Sequence, residues 1–325
     1  MKKGKISILL VFVLVFTLAM SSCGENKETG SKEKITIVQQ YGMAYAPFKI
    51  MEKKGFVEAN YNGDLDVEYT VLNSGSTITE SFAAGTVDVG AMGLAPAITG
   101  ASSGVGFKIC SNVAAQPHKI MTNNPKIKSL KDIGKDDKIA LVNIGSIQHI
   151  LLGMAAKEQL GNAHALDENI SAMAHPDGMT ALLNKQVACQ LTTSPYTFKE
   201  ADEKGISEVE ALESVWPSGN TFIVACASQD LHDNHPDLYE AVVKGIQDAI
   251  DFINNNPEEA AEMLCGDEDV PAKTMLKWLK DPACLYSSEL KGVMDMANFM
   301  AEEGFLEVAA PESIRDLAFD NVKGE

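Results

Sequence analysis

Two short stretches hold groups that could grip an oxygen atom. Leu72-Asn73-Ser74-Gly75-Ser76-Thr77 and Asn143-Ile144-Gly145-Ser146 each place a Gly-Ser pair where a strand-like run gives way to a helix-like one. Helix N-termini expose backbone N–H groups with partial positive charge, and hydroxyls add donors. Ser76, Thr77 and Ser146 therefore suit a carboxylate, sulfonate, phosphate or carbonyl oxygen. Three further strand-end turns are equally free of charge: Tyr41-Gly42-Met43-Ala44-Tyr45, Gly93-Leu94-Ala95-Pro96 and Ser194-Pro195-Tyr196. Between Thr70 and Phe107 only Glu80 and Asp88 are charged, in a chain that is 22% charged. Tyr41, Tyr45 and Tyr196 offer flat faces and phenol groups to a ring. N-capping and ordinary packing explain each turn taken singly. The repeated Gly-Ser entry shifts the balance towards a site. His149 falls on the first turn of its helix, within reach of the same place or out in solvent. Asp177, after Pro176, is most simply an N-cap. The candidate contacts are Tyr41, Gly42, Tyr45, Ser76, Thr77, Gly93, Leu94, Ser146, His149, Asp177 and Tyr196.

Catalytic and metal patterns are missing. Gly75-Ser76-Thr77 is neither a GxSxG elbow nor a P-loop. His118, His149, His164 and His175 have no Ser or Cys that spacing ties to them. His232 and His235 stand in a turn, and no CxxC accompanies them. No cofactor and no metal is expected. Cys110, Cys189 and Cys226 lie inside apolar runs and read as buried thiols, while Cys265 and Cys284 could bridge. The 27 basic residues include a single Arg, Arg315, outside all five turns. A strong anion site usually recruits Arg for its bidentate fork. The sequence thus points to a neutral or weakly charged heteroaromatic or polar organic solute, with an aliphatic sulfonate close behind.

The turns need elements to hold them. Strand-like runs at 35–38, 65–72, 87–92 and 107–113 alternate with helix-like runs at 47–54, 77–84 and 95–102. A second series has strands at 138–142, 169–174 and 187–191, with helices at 147–160, 178–184 and 196–204. This order predicts α/β architecture, each half a mostly parallel sheet flanked by helices. An apolar strand at 221–227 is followed by an amphipathic helix at 236–254, then by helices with no clear strand. If 221–227 returns to the first sheet, the chain crosses twice between lobes, and ligand binds beyond the strands' carboxyl ends.

The first 22 residues stand apart. Lys2, Lys3 and Lys5 precede an uncharged apolar run at 6–20, right for an export signal and short for a membrane span. Met20-Ser21-Ser22-Cys23 resembles a bacterial lipobox with Met in place of the usual Leu, which makes Cys23 the lipidated residue. The stretch 24–34 is polar and reads as a tether. The expected organisation is signal 1–22, lipidated Cys and tether 23–34, a discontinuous lobe of 35–117 plus 222–325, and a second lobe at 118–221. Loss of the signal moves the formal charge from −18 to −21, a surface that repels nucleic acid.

Ala83-Ala84-Gly85-Thr86-Val87-Asp88-Val89-Gly90, Gly93-Leu94-Ala95-Pro96, Ser129-Leu130-Lys131-Asp132-Ile133 and Asn255-Asn256-Pro257-Glu258-Glu259 follow one another in a familiar order. The chain resembles the solute-binding components of nitrate/sulfonate/taurine-type ABC importers, including their thiamine-pyrimidine-like branch. Ala181-Leu182-Leu183-Asn184-Lys185-Gln186-Val187-Ala188 departs from the family's Ala-Leu-x-x-Gly-x-Val-Asp at Lys185 and Ala188. The resemblance implies a two-lobed, type II periplasmic-binding-protein-like fold closing on a small solute, and no enzymatic activity. It also implies partnership with an ABC permease and its ATPase, and attachment to the outer face of the cell membrane through lipid on Cys23. The chain is expected to act as a monomer. The alternatives are a pyrimidine-synthase-like enzyme on the same fold, against which the lack of a Cys cluster and the export signal argue, and a membrane-tethered solute sensor.

Overall fold

The computed structural model describes residues 32–325; the expected signal and Cys23 lie outside the described residues. Strand β1 (Glu33–Gln39) leads through helices α1 (Ala46–Lys54) and α2 (Phe56–Asn60) to β2 (Leu65–Val71). Then come α3 (Gly75–Ala83), β3 (Val89–Gly93), α4 (Leu94–Ser102) and β4 (Phe107–Ala115). The second half holds β5 (His118–Thr122), β6 (Ile139–Leu141), α5 (Ile147–Leu160), β7 (Ile170–Ala172), α6 (His175–Leu183), β8 (Cys189–Thr193), α7 (Tyr196–Ala201) and β9 (Ser207–Val209). The chain closes with β10 (Ile223–Ser228), α8 (Gln229–Asn234), α9 (Pro236–Asn255), α10 (Pro257–Leu264), α11 (Ala272–Leu279), β11 (Leu285–Tyr286), α12 (Val293–Glu302) and α13 (Ile314–Leu317).

Two mixed sheets result, in the orders β11-β4-β10-β3-β1-β2 and β7-β6-β8-β5-β9. β1 pairs with β2 and β3 in parallel, whereas β10 runs antiparallel between β3 and β4. In the second sheet β6 is parallel to β7 and β8, and β5 runs against β8 and β9. Most strands of each sheet thus share a direction, and the reversed ones are those next to a crossing between sheets, plus the short β11. β10, read from sequence as an apolar run, is the returning strand. β3 and β10 read as near-continuous apolar runs because helices or neighbouring segments cover both their faces.

Several local expectations are corrected. β5, β9 and β11 were not foreseen as strands; β11 is only two residues long, and it pairs with the end of β4. Helix α3 starts at Gly75, because Ser74 rather than Thr77 caps it and accepts from Thr77 N–H at 3.2 Å. Helix α6 starts at His175, three residues early, so Asp177 is not its N-cap but an exposed first-turn residue. All five described cysteines are free, Cys265 and Cys284 included.

The chain crosses out at Gln116-Pro117 and returns between β9 and β10. His118 joins both crossings: its ring nitrogens lie 3.1 Å from the Gln116 carbonyl oxygen and 2.9 Å from that of Trp216. Gly90 lets α3 lie directly on β3, since a Cβ there would come within 2.6 Å of Ile78.

Glu200 on α7 is fully buried, and neither carboxyl oxygen has a partner among the described residues. Burial pushes this carboxyl up to about 8, so it is protonated at neutral pH. A raised carboxyl contributes stability that is full below the unfolded value of 4.5 and is lost as pH rises through about 8. Glu200→Gln is therefore expected to exceed the wild type in urea midpoint at about pH 8 and to converge with it near the unfolded carboxyl value.

Candidate functional site

The carboxyl ends of the parallel strands from both sheets face one cavity. Gln40, Tyr41 and Tyr45 follow β1, Gly75 opens α3 and Gly93 ends β3; Ser146 and Gln148 open α5, His175 opens α6 and Thr193 ends β8. None of its lining residues is Asp, Glu, Lys or Arg. The open space at its centre is about 30 Å³, on the order of one or two water molecules.

Backbones meet closely across this gap. Met43 N–H donates to the Ser194 carbonyl at 3.2 Å. Gly42 holds a φ of 116°, and a Cβ on it would lie 3.1 Å from that same carbonyl oxygen. A Cβ on Gly93 would come within 2.9 Å of Ile147. The Asn143 amide donates to Ser76 Oγ at 3.3 Å, which ties the two Gly-Ser turns together. Farther along α7, Lys199 reaches the Glu268 carboxylate at 3.1 Å, and Lys49 reaches its other oxygen at 3.4 Å. Phe198 stacks on Trp278 at 5.7 Å.

Of the residues singled out by sequence, Tyr41, Tyr45, Gly93 and Ser146 line the cavity. Gly42 supports it through the contact with Ser194. Ser76 and Thr77 stand beside it: Ser74 Oγ lies 2.9 Å from each of their hydroxyl oxygens. Leu94 is wholly buried, its N–H given to the Phe222 carbonyl at 3.0 Å. Tyr196 stacks on His175 at 5.5 Å, and the Lys199 ammonium sits 5.5 Å from its ring centre. His149 turns away to Asp167, and Asp177 is exposed. Arg315 is not among the lining residues and donates to the Phe319 carbonyl at 2.8 Å.

The sequence did not single out Gln40, Gln148, His175, Thr193 or Phe222. His175 is central among them. The Gln148 amide donates to its Nε2 at 3.2 Å, so Nδ1 carries the proton and gives it to Thr192 Oγ at 3.3 Å. Gln190 accommodates the same turn, its amide donating to the His175 carbonyl at 3.0 Å. Burial lowers the imidazole to about 4 and keeps it uncharged at neutral pH. A depressed histidine contributes stability that is full above 6.5 and is lost as pH falls to about 4. In His175→Gln the decline of melting temperature across that window is expected to flatten, as read by calorimetry; an unchanged decline counts against the neutral imidazole.

The NMT1-like family matches residues 29–265. No curated protein matches the chain by sequence. Among solved structures, the alkanesulfonate-binding protein SsuA of Xanthomonas axonopodis pv. citri, bound to MOPS, superposes with a TM-score of 0.71 at 15% identity, over 85% of this chain and 96% of its own. The periplasmic nitrate-binding protein NrtA of Synechocystis PCC 6803 gives 0.70 at 15%, over 89% and 86%. A Candida albicans protein described as having the generic periplasmic binding protein fold gives 0.71 at 14%, over 89% and 97%. The family match spans most of the chain and the superpositions agree on its architecture: this protein belongs to the NMT1-like family and has the two-lobed periplasmic-binding-protein fold.

Proposed function

We propose that the chain is the extracytoplasmic solute-binding component of an ABC importer. It captures a small polar organic solute between lobes 35–117 plus 222–325 and 118–221, and delivers it to a permease. Lipid on Cys23 would hold it at the outer face of the cell membrane. The observation that carries this reading is a cavity walled by strand-end turns of both sheets. Such a site gains its closure energy from contacts available only when the lobes are shut. No nucleophile, metal cluster or cofactor cradle is needed to account for the residues that line it.

The lining supports a reading of the solute class. Neutral His175, the Gln148 and Gln40 amides and the rings of Tyr41 and Tyr45 suit a heteroaromatic, pyrimidine-like solute. Helices α3 and α5 also begin at the cavity, and their N-terminal dipoles would favour a sulfonate without a fixed cation. The sulfonate bound by the first of the structural relatives makes this the second reading.

A thermal-shift screen of the full-length chain against pyrimidines, sulfonates, nitrate and amino acids separates the two. A specific solute at about 100 times its Kd stabilises by about 2.7 kcal/mol. A pyrimidine hit whose affinity is insensitive to ionic strength is the expected result. Response to taurine or nitrate alone overturns the aromatic reading, and turnover of a bound pyrimidine overturns the non-enzymatic one.

A further inference from the structure

His149 touches the cavity only through its neighbour. Its Nδ1 accepts the N–H of Gly145 at 3.0 Å, and its Nε2 lies 3.2 Å from Asp167 Oδ1. Those partners fix the protons: Nδ1 is bare, and Nε2–H donates to the carboxylate. Asp167 Oδ2 accepts from His164 Nδ1–H at 2.8 Å. His164 Nε2 faces a second acceptor, the Glu303 carbonyl, at 2.7 Å. Two acceptors facing one half-exposed ring favour its doubly protonated form. Glu303 follows α12, and its carboxylate pairs with Lys157 of α5 at 3.0 Å. Phe305, just beyond, meets His149 edge-on at 5.1 Å and His164 at 4.5 Å. Gly153 makes room for that ring, since a Cβ there would come within 2.6 Å of it. The chain after α12 is thus fastened to the segment that carries the second sheet through His164, and Asp167 links that contact to His149, which braces the Gly145-Ser146 turn.

We propose that His149 is a positioning residue for the solute site: its neutral ring holds the Gly145-Ser146 turn, and Asp167 couples that hold to the grip of His164 on Glu303, so that lobe closure is strongest in a middle range of pH. Its bearing on uptake rests on the solute-binding reading above; the network itself does not.

The charged groups facing the two rings are Asp167 and the Glu303 carboxylate, with Lys157 paired to the latter, and each imidazole faces the other across Asp167. Burial lowers His149, with Asp167 opposing it. The Glu303 carbonyl, then Asp167, raises His164. The hold of His149 is full above 6.5 and lost as pH falls through its depressed value. That of His164 is full below 6.5 and lost as pH rises through its raised value. Both are intact near the ordinary histidine value.

Hydrogen exchange of the Gly145 amide in the full-length chain, corrected for intrinsic rate, reads the first hold without any solute. Once His149 titrates, protection is expected to fall by up to about tenfold per pH unit towards acid. His149→Asn keeps an acceptor near Nδ1 that does not titrate, so its protection is expected to persist at acid pH, while His149→Leu loses it throughout. X-ray scattering reads the second: the radius of gyration is expected to rise towards alkaline pH in the wild type and to show no such step in His164→Gln. Protection of Gly145 that is flat from acid to neutral pH in the wild type overturns the proposal. So does a His149→Asn variant as unprotected as His149→Leu, or a wild-type radius that does not change. Failure of every candidate solute to bind, with the pH response intact, would count against the importer reading and leave the relay standing.

Discussion

At the cleft, two backbones touch with almost no side chain between them. Met43 N–H reaches the Ser194 carbonyl, and Gly93 admits Ile147 from the facing helix. Contacts this close fix where everything else can sit. They bring Tyr45, Gln148 and His175 to one small space, and they leave the Lys199–Glu268 pair and the Phe198–Trp278 stack to form farther out. Protein interiors are close-packed, so even a gap of about 0.5–1 Å here would forfeit roughly a quarter to a half of the dispersion energy of these contacts.

Polar groups without net charge give this cavity its character. A fixed cation in so small a space would have to be desolvated, at a cost of several kcal/mol unless a partner charge neutralised it. Amides, hydroxyls and a neutral imidazole avoid that cost, and they discriminate by the pattern of donors and acceptors. Gln148 and Thr192 set the imidazole's tautomer, and between them they take up both ring nitrogens of His175.

Much of the fold was legible in the residues. Alternating β and α runs gave both sheets, and the apolar stretch at β10 marked the return to the first. Strand direction was not legible, since an apolar run reads the same in either sense; β5 and β9 were too short or too close to a crossing to register. The departure at Lys185 has a plain counterpart in the structure. Its φ of 58° is the conformation that Gly85 adopts, at 66°, in the matching turn of the first lobe. The backbone there is the one a glycine would favour, and the lysine takes it at some strain. The lining of the candidate cavity was half legible. Gly-Ser turns and tyrosines announce themselves by type, while Gln40, Gln148 and Thr193 resemble any surface polar residue until the fold buries them. Asp177 and His149 fell on the right turns, but successive helical side chains point about 100° apart, and these two point elsewhere.

The place of β10 has a consequence for how the molecule is made. β10 pairs with β3 on one side and β4 on the other, yet it leaves the ribosome after every strand of the second sheet. Until then the first sheet is two unconnected pieces with open edges, and edges of that kind invite pairing with other chains. The second lobe has no such debt and can settle while the first waits. Closing the first sheet is then a late, long-range step across a finished lobe, slow by the usual dependence on sequence separation. The order of synthesis therefore keeps the first core open until the middle third of the chain has been delivered.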